Sequence, residues 1–396
     1  MNERQASDSM SGGHGGDAIA PPRRSYRGRV ILALIVVATA LLPTAVRKMP
    51  DFEVSWRAGR RILLAESLYR TTDQHFQEKY FPVFGMAMVP LSLLPLRVAK
   101  ITWYYASIAA IAGLVAMSIS LLPHRKRPPA VLAFIGTVAM LKFFAHEVNL
   151  GQCNALMVLL VLVGFQFLMR DRPGVAGASF ALSAVVKPYA IIVLPYLFAR
   201  RSLLAFGTML TAIVAILLVP AAIYGMSGNF GQLEGWARTV LNSSPPNLLN
   251  QDNVSIWAMY SKWFGAGAVS VDLAFGTIAA IVVTFLGLIR TGADLPHPEY
   301  LEMAVLLALV PLFSPQGWDY VLLAATPAVV LLANELSGLP PSIRWTAGGA
   351  VAVMAFSVFD LMGRRAYAAF MSASAITVCA IVLLASMAYM RIYRIA

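Results

Sequence analysis

Apolar residues run along most of this chain in long, continuous stretches, which short polar and charged segments interrupt. The stretches are rich in Leu, Val and Ala and do not alternate with polar residues. Backbone polar groups find no partner in lipid, so a chain crosses a bilayer only as helices or as a closed barrel. Because barrel strands alternate in polarity, the pattern predicts an all-α, polytopic transmembrane protein with about 12 membrane helices.

Charged segments set the boundaries of the predicted elements. Residues 1–27 are polar and Gly-rich and predict a disordered cytoplasmic tail, and residues 28–396 predict a single transmembrane domain. Two long outer segments, 47–97 and 225–266, are each expected to hold an interfacial helix. Membrane helices are predicted near 30–46, 97–122, 130–146, 153–169, 174–187, 188–199, 203–224, 268–289, 300–313, 318–334, 343–360 and 366–389.

The basic segments predict the orientation of the chain. HRKRPP at 124–129, RDRP at 170–173, and the arginines at 200, 201, 391 and 394 all fall in short inner loops or at the inner terminus. Cytoplasmic loops of membrane proteins carry such an excess of Lys and Arg. Phe84–Leu96 is short and contains two prolines, so we expect it to lie in the interface; if it spanned, every later segment would reverse. The prediction is a multi-pass protein of the cytoplasmic membrane, with its long segments outside.

Composition agrees with a membrane location and narrows the partners. Hydrophobic residues make up 59% of the chain and charged residues 13%, whereas soluble proteins carry about twice that charge. The net charge of +12 does not predict nucleic-acid binding, because no basic stripe with interleaved aromatic residues is present. Membrane lipids are the expected partners. The five histidines are scattered and Cys153 and Cys379 lie in apolar stretches, so no metal site is expected.

The first outer segment contains the most informative polar residues. From Asp51 onward it reads as an amphipathic helix, with Phe52, Trp56, Gly59 and Leu63 on one face and arginines around the other. Such a helix is expected to lie in the interface with its apolar face in lipid. Asp51 itself fits two roles: an N-cap of this helix, or a carboxylate that acts as a general base.

Three further segments place polar residues at the predicted outer face. Asn149, Gln152 and Asn154 in NLGQCN either cross-link helices or contact sugar hydroxyls. Lys187 lies in the apolar run VVKPYAI, where an ionisable group indicates function; a lysine that snorkels to the interface is the alternative. Pro188 is expected to break the helix beside it.

The last two segments are NQDN and SPQGWDY. Asn250 and Gln251 are expected to open an interfacial helix whose N-cap is Asp252 or Asn253. In the other segment, Gln316, Trp318 and Asp319 are predicted at the outer face. Trp318 fits either an aromatic residue of the membrane interface or a ring that stacks on sugar.

Four blocks of the sequence resemble bacterial glycosyltransferase family 87, membrane enzymes of the GT-C fold that use polyprenyl-phosphate sugars. In order, the blocks are DFEVSWRAGRRILLAESLYR with KYFPVFGMAMVPLSLLPL; NLGQCNALMVLLVL with ALSAVVKPYAIIVLPYLFARR; NQDNVSIWAMYSKWF; and LFSPQGWDYVLLAATPAVVLL. They are spread over most of the chain. Each block is weakly specific alone, but together they are specific for the family and not for its substrate.

The resemblance implies an inverting transfer with Asp51 as the catalytic base. It implies that the donor phosphate is bound by basic residues, for which Arg57, Arg60, Lys79 and Lys187 are the candidates. The implied substrate contacts are Asn149, Gln152, Asn154, Asn250, Gln251, Gln316, Trp318 and Asp319. Members of the family carry a histidine near the last position, where this chain has Asp319-Tyr320; Asp319 is therefore a second possible base.

The resemblance therefore predicts a membrane hexosyltransferase at the outer face, with mannose favoured as the sugar. A polyprenyl-phosphate sugar is the implied donor and a glycan or glycolipid the acceptor, with no metal and no cofactor. Two other classes remain open. A transporter or flippase would also place a lysine in the membrane but is expected to show an internal repeat, and a non-catalytic subunit of envelope-glycan assembly would tolerate the loss of Asp51.

Overall fold

The computed structural model describes residues 36, 38–291 and 298–395. The chain divides into two compact units, residues 1–43 and 44–396. In the first unit the described residues are helical; the predicted tail at 1–27 and most of the predicted first membrane helix lie outside the described residues.

The second unit is all-helical over its described residues, apart from one isolated bridge between Asn253 and Trp318. Short 3₁₀ segments cover Thr71–Phe76, Pro188–Ile192, Asp319–Ala325 and Leu336–Gly338. The α-helices are α1 Pro50–Leu63, α2 Pro82–Ala87, α3 Val89–Ser92, α4 Leu96–Ser120, α5 Pro129–Leu150, α6 Asn154–Met169, α7 Pro173–Val186, α8 Val193–Ala199, α9 Leu203–Leu218, α10 Ala221–Asn247, α11 Ile256–Phe264, α12 Ala268–Thr291, α13 Glu299–Phe313, α14 Thr326–Glu335, α15 Pro341–Phe356, α16 Phe359–Met362, α17 Arg364–Ser372 and α18 Ala375–Ile392.

Among the described residues, five helical segments are long and apolar enough to cross a membrane. They are α4, α5, Ala268–Arg290 of α12, the segment Asp319–Gly338 that contains α14, and α18. The bent pair of α9 and α10 raises the number to six. Three shorter apolar segments, Asn154–Met169, Pro173–Val186 and Pro188–Ala199, match predicted membrane helices in position. The structure thus shows a multi-pass helical protein, and the predicted number of twelve membrane helices is not confirmed.

Two predicted helices are interrupted. The axes of α9 and α10 differ by 101°, and a second break falls at Gly225, whose φ of 69° is left-handed. The predicted helix at 366–389 is wrong, because it consists of α17 and α18 with Ala373 and Ser374 between them. Ser374 has a φ of 55°, which ends one helix and starts the next at a new angle.

The core surrounds α13 and the segment after it. Every residue from Tyr300 to Leu312 is buried, and so is every residue from Asp319 to Glu335. A helix that is apolar on all sides must be covered on all sides. These segments therefore form the centre of the bundle, and α4, α5, α6 and α18 pack around them.

The first outer segment packs on the bundle through α1. The face that α1 buries consists of Phe52, Ser55, Ala58, Gly59 and Ile62, whereas Leu63 of the predicted apolar face is 49% exposed. The buried face of α1 is therefore rotated by part of a turn from the predicted apolar face. The reason is that α2 and α3 pack against α1 on the side that carries Ala58. Neither α2 nor α3, which occupy most of 82–92, is long enough to cross a bilayer, since a helix rises only about 1.5 Å per residue.

The direction of each helix brings the polar segments to one end of the bundle. The last turns of α5, α7 and α13 lie there, together with the first turns of α1, α6 and α18, as the hydrogen bonds described below show. The opposite end holds HRKRPP between α4 and α5, the arginines after α6 and α8, and the end of α18. We call the first of these the polar end and the second the basic end.

Candidate active site

A glycine turn between α5 and α6 positions the centre of the candidate site. Gly151 has a φ of 72° and ends α5. Its N–H donates to the carbonyl of Val148, and the N–H of Gln152 donates to the carbonyl of Glu147. A Cβ at Gly151 would lie 2.6 Å from the Cβ of Phe52, so only glycine fits beside α1. The turn thereby directs the side chain of Gln152 toward α1 and α7.

The Gln152 side chain joins four other side chains from four segments. Its amide nitrogen donates to Asp51 Oδ2 at 2.6 Å and to Tyr320 Oη at 3.3 Å. Its amide oxygen accepts from Lys187 Nζ at 2.6 Å and from Tyr80 Oη at 2.8 Å. The carbonyl thus faces the cation and the amide hydrogens face the carboxylate, the arrangement that electrostatics requires. We call these five residues the Gln152 cluster.

Lys187 enters this cluster because Pro188 ends α7, as the sequence predicted. Its backbone is extended, with φ −150° and ψ 123°, as expected for a residue before proline. The side chain is 7% exposed, and its ammonium lies 5.4, 5.5 and 5.8 Å from the ring centres of Tyr80, Tyr189 and Tyr320. Three aromatic faces and an amide oxygen stabilise the cation. Lys187 does not snorkel outward, so that alternative is wrong.

Asp51 lies in the first turn of α1 and does not cap it. The N-cap position is Met49, which has a left-handed φ of 56° and forms no side-chain capping bond. The backbone N–H of Met49 instead bonds the carbonyl of Asn149 at 2.8 Å, which ties the start of α1 to the end of α5. The capping interpretation of Asp51 is therefore wrong, and its half-buried carboxylate is held toward Gln152.

Two charged neighbours from the loop before α2 lie close to this cluster. Burial lowers the pKa of Lys79, an effect that the charge of Asp51 opposes and that of Lys187 reinforces. Glu78 is 1% exposed, and its Oε1 accepts from the N–H of Tyr80 at 3.0 Å. Burial raises the pKa of the Glu78 carboxyl to about 7, and the charge of Asp51 acts in the same direction.

Glu78→Gln is expected to stabilise the protein at pH 8 relative to wild type and to be nearly neutral at pH 5. The folded-state pKa of about 7 lies above the ordinary 4.5, so the bound proton stabilises the fold fully below pH 4.5. That contribution is lost as the pH rises from 4.5 to 7, up to about 3 kcal/mol, and glutamine avoids the loss. Tm of both proteins at pH 5 and pH 8 measures it.

Glu234→Gln is the control for this prediction, because Glu234 is 62% exposed and pairs with Arg238 on the surface of α10. Its Tm difference from wild type should be the same at both pH values. An equal difference at pH 5 and pH 8 for Glu78→Gln would contradict a buried carboxyl that titrates near neutrality.

A second group of charged residues lies beside the Gln152 cluster. His146 Nδ1 is 2.8 Å from Asp319 Oδ1, and Lys142 Nζ is 3.9 Å from Asp319 Oδ2. The backbone N–H of Asp319 donates to the carbonyl of Asp252 at 2.9 Å. Burial, together with the charge of Asp319, raises the pKa of Asp252. We call these four residues the His146 cluster.

Asn154 and Gln316 use their side-chain amides to join helices. Asn154 is fully buried and donates to Glu147 Oε2 at 2.7 Å, across the turn between α5 and α6. Gln316 is 8% exposed and donates to the hydroxyls of Ser243 and Ser244 at 3.0 and 2.9 Å. The structure favours the packing alternative for Asn154 and gives Gln316 the same kind of role.

Asn250 and Gln251 lie in a turn and do not open a helix. The helix that follows, α11, begins at Ile256 and has Ser255 as its N-cap, with Ser255 Oγ accepting from Ala258 N–H at 3.0 Å. The predicted caps Asp252 and Asn253 are therefore wrong. The exposed Asn250 accepts from the N–H of Asp252.

Trp318 and Asn149 are half-buried at the polar end. Trp318 is fixed through its backbone, which pairs with Asn253, and Asn149 through its carbonyl. Both side chains remain at the edge of the site, and neither alternative given for Trp318 is decided.

The arginines of α1 do not join the two clusters through any contact that the structure describes. Arg57 and Arg60 are exposed, and the guanidinium of Arg60 lies 5.2 Å from the ring centre of Trp56 on the same helix. Arg61 forms a two-pronged ion pair with Asp73 at 2.5 and 2.8 Å, which braces the loop after α1 and lowers the pKa of Asp73. Phosphate binding by Arg57 and Arg60 stays a prediction without structural support.

The sequence did not reveal Tyr80, Tyr320 or Glu78 as members of the site. A tyrosine at the start of an apolar run resembles an ordinary core residue, as at Tyr80 and Tyr320. The one available signal was adjacency, since Tyr80 follows Lys79 and Tyr320 follows Asp319. Among the described residues, no group of three His, Cys, Asp or Glu side chains is arranged to hold a metal ion.

Comparison with known protein families gives a match. The sequence model of glycosyltransferase family 87 matches residues 79–315, which include Lys79, Gln152 and Lys187. Asp51 and Asp319 lie outside the matched range, so their assignment depends on their contacts. No curated protein matches the chain.

Proposed function

The chain belongs to glycosyltransferase family 87 and is a membrane glycosyltransferase, and from the Gln152 cluster we propose how it works. It transfers a hexose, with mannose favoured, from a polyprenyl-phosphate donor to a glycan or glycolipid acceptor, with inversion at the anomeric carbon. One observation carries the proposal: Gln152 holds the carboxylate of Asp51 and the ammonium of Lys187 on opposite atoms of one amide.

Asp51 is the proposed general base. Its Oδ2 is oriented by Gln152, and the rest of the carboxylate is half-buried at the start of α1. The acceptor oxygen forms a bond to the anomeric carbon as its proton passes to Asp51. The bond between that carbon and the phosphate oxygen breaks, and its electron pair leaves with the polyprenyl phosphate.

Lys187 and Lys79 are the proposed phosphate site. The departing phosphate gains negative charge, and a fixed ammonium lowers the energy of that charge most in a site from which water is excluded. Lys187 is held by an amide oxygen and three tyrosine rings, so it needs little reorganisation during the reaction. The half-buried Lys79 interacts with both Asp51 and Lys187. A phosphate that binds here would offset the repulsion between the two ammonium groups.

The distribution of charge supports a site on the outer side of the cytoplasmic membrane. The loops at the basic end contain Arg125, Lys126, Arg127, Arg170 and Arg172. By the positive-inside preference, that end faces the cytoplasm. Asp51, Gln152 and Lys187 lie at the polar end and hence outside, where lipid-linked sugars can reach them laterally.

A transfer assay on the purified protein tests the proposal. The protein is incubated with an acceptor panel and labelled donors of two kinds, namely polyprenyl-phosphate hexoses and nucleotide sugars. Labelled product is expected from a polyprenyl-phosphate hexose, and mannose is expected to be the best sugar. Product from nucleotide sugars alone, or from none of the donors, would overturn the donor assignment.

A further inference from the structure

His146 and Asp319 form a pair that the proposed transfer does not use. His146 belongs to the last turn of α5, and Asp319 opens the buried 3₁₀ segment after α13. Asp319 is 1% exposed, whereas the side chain of His146 is 33% exposed. The carboxylate is therefore enclosed behind the imidazole. This arrangement excludes Asp319 as the second base that the sequence suggested, and it leaves His146 as the accessible member of the pair.

The pair fixes the orientation of the imidazole. Nδ1 lies 2.8 Å from Asp319 Oδ1. Two lone pairs would repel each other at this distance, so we assign a hydrogen to Nδ1. The other nitrogen, Nε2, is then left for a ligand: it accepts a hydrogen bond in the neutral ring and donates one in the protonated ring. The ring of Tyr320 supports the imidazole edge to face, with ring centres 5.3 Å apart and planes at 79°.

The charged groups at His146 sum to −1 with a neutral imidazole and to zero with a protonated one. Lys142, one turn earlier on α5, lies 3.9 Å from Asp319 and is held by the carbonyl of Ser357 at 2.8 Å and by the ring of Tyr367 at 5.3 Å. Asp252 contributes a second carboxylate. Two carboxylates would repel a phosphate, whereas Lys79 and Lys187 in the neighbouring cluster attract one. The His146 cluster therefore fits neutral hydroxyl groups.

The two clusters share a residue. The hydroxyl of Tyr320 accepts from Gln152 Nε2 at 3.3 Å, and Gln152 holds Asp51. The ring of the same tyrosine contacts His146, so Tyr320 connects the two clusters. A sugar that contacts His146 would thus be connected through Tyr320 and Gln152 to Asp51, the carboxylate that must receive its proton.

We propose that His146 binds the acceptor through a hydrogen bond between Nε2 and an acceptor hydroxyl, and that Asp319 is a positioning residue that acts through His146. This inference rests on the proposed transfer and names its acceptor site. The acceptor class that it fits is a hydroxyl-rich glycan, without a charged group at the bound sugar.

The test compares wild type, His146→Gln, Asp319→Asn and the double variant as purified full-length protein in nanodiscs. Octyl mannoside and octyl glucoside, below their micellar concentrations, serve as acceptors. Each single variant is expected to raise the acceptor KM about tenfold, the effect of one lost hydrogen bond, and to leave the donor KM within about twofold. The double variant should match the singles, because Asp319 acts only through His146.

A structural role for Asp319 would give a different pattern. Asp319→Asn would then lower kcat by the same factor, or Tm by the same number of degrees, with or without His146. In the double variant the losses of kcat would multiply and the shifts in Tm would add. That pattern, or a change in the donor KM instead of the acceptor KM, would overturn the inference. His124→Gln is the matched control, since His124 is exposed in the loop at the basic end and should change neither KM.

Calorimetric binding of the same glycosides without donor separates this inference from the proposed transfer. If no donor supports transfer but glycoside binding weakens about tenfold in His146→Gln, the transfer fails and the acceptor site stands. If transfer proceeds and neither binding nor the acceptor KM depends on His146, the acceptor site fails alone. Absence of glycoside binding to the wild type would also overturn it.

Discussion

Asp51→Asn is expected to lower kcat about 10²–10⁴-fold, the range typical for loss of a general base, with little change in Tm. Asparagine has nearly the same shape, and its amide oxygen can still accept from Gln152 Nε2 in place of Oδ2. The helix start would also be preserved, because Met49 and not Asp51 occupies the N-cap. Initial rates with saturating donor and acceptor measure the effect.

Asp272→Asn is the matched control for Asp51, since Asp272 is an exposed aspartate on α12. It should retain wild-type kcat. Full activity in Asp51→Asn would show that another group receives the proton, and would favour a role for Asp51 in holding Gln152 only.

Lys187→Met is expected to lower kcat about 100-fold or more. Methionine keeps most of the length and the apolar stem but removes the ammonium that would stabilise the departing phosphate. Gln152 keeps Tyr80 as a donor to its amide oxygen, so the cluster loses one contact and not its connection to Asp51. The acceptor KM should change much less than kcat.

Arg238→Gln serves as the control for loss of a cation, because Arg238 lies on the surface of α10 and pairs only with Glu234 among the contacts described. It should leave kcat unchanged. A loss of less than about threefold in Lys187→Met would contradict the phosphate role, and would leave Lys187 as a buried brace between α7 and the α5–α6 turn.

The sequence predicted much of the fold because hydropathy reports which segments need an apolar environment. The expected bounds of α4, α5 and α6 agree with the structure within a few residues. The proline prediction also transferred well, since Pro188 ends α7 and places Lys187 beside Gln152. Hydropathy does not tell whether a short or bent apolar helix crosses the whole membrane, as in α7, α8 and the pair of α9 and α10. The predicted number of twelve membrane helices is therefore not confirmed.

The site residues were predicted from residue type, without knowledge of the direction of each side chain. Asp51, Ser55, Ala58 and Ile62 share one face of α1 at helical spacing, which places Arg57 and Arg60 on the other side. Charge alone had grouped those arginines with Asp51. Asn154 and Asp319 were predicted as substrate contacts because the sequence does not show that Asn154 Nδ2 donates to Glu147 or that the Asp319 carboxylate lies against His146.

The most direct test of the account is the anomeric configuration of the product. NMR of the product formed from a polyprenyl-phosphate hexose of defined configuration gives it in one measurement. Direct displacement with Asp51 as base, and with phosphate leaving beside Lys187, predicts a single inversion. Retention of configuration would require a covalent intermediate or a second displacement, and would contradict the mechanism proposed for the Gln152 cluster.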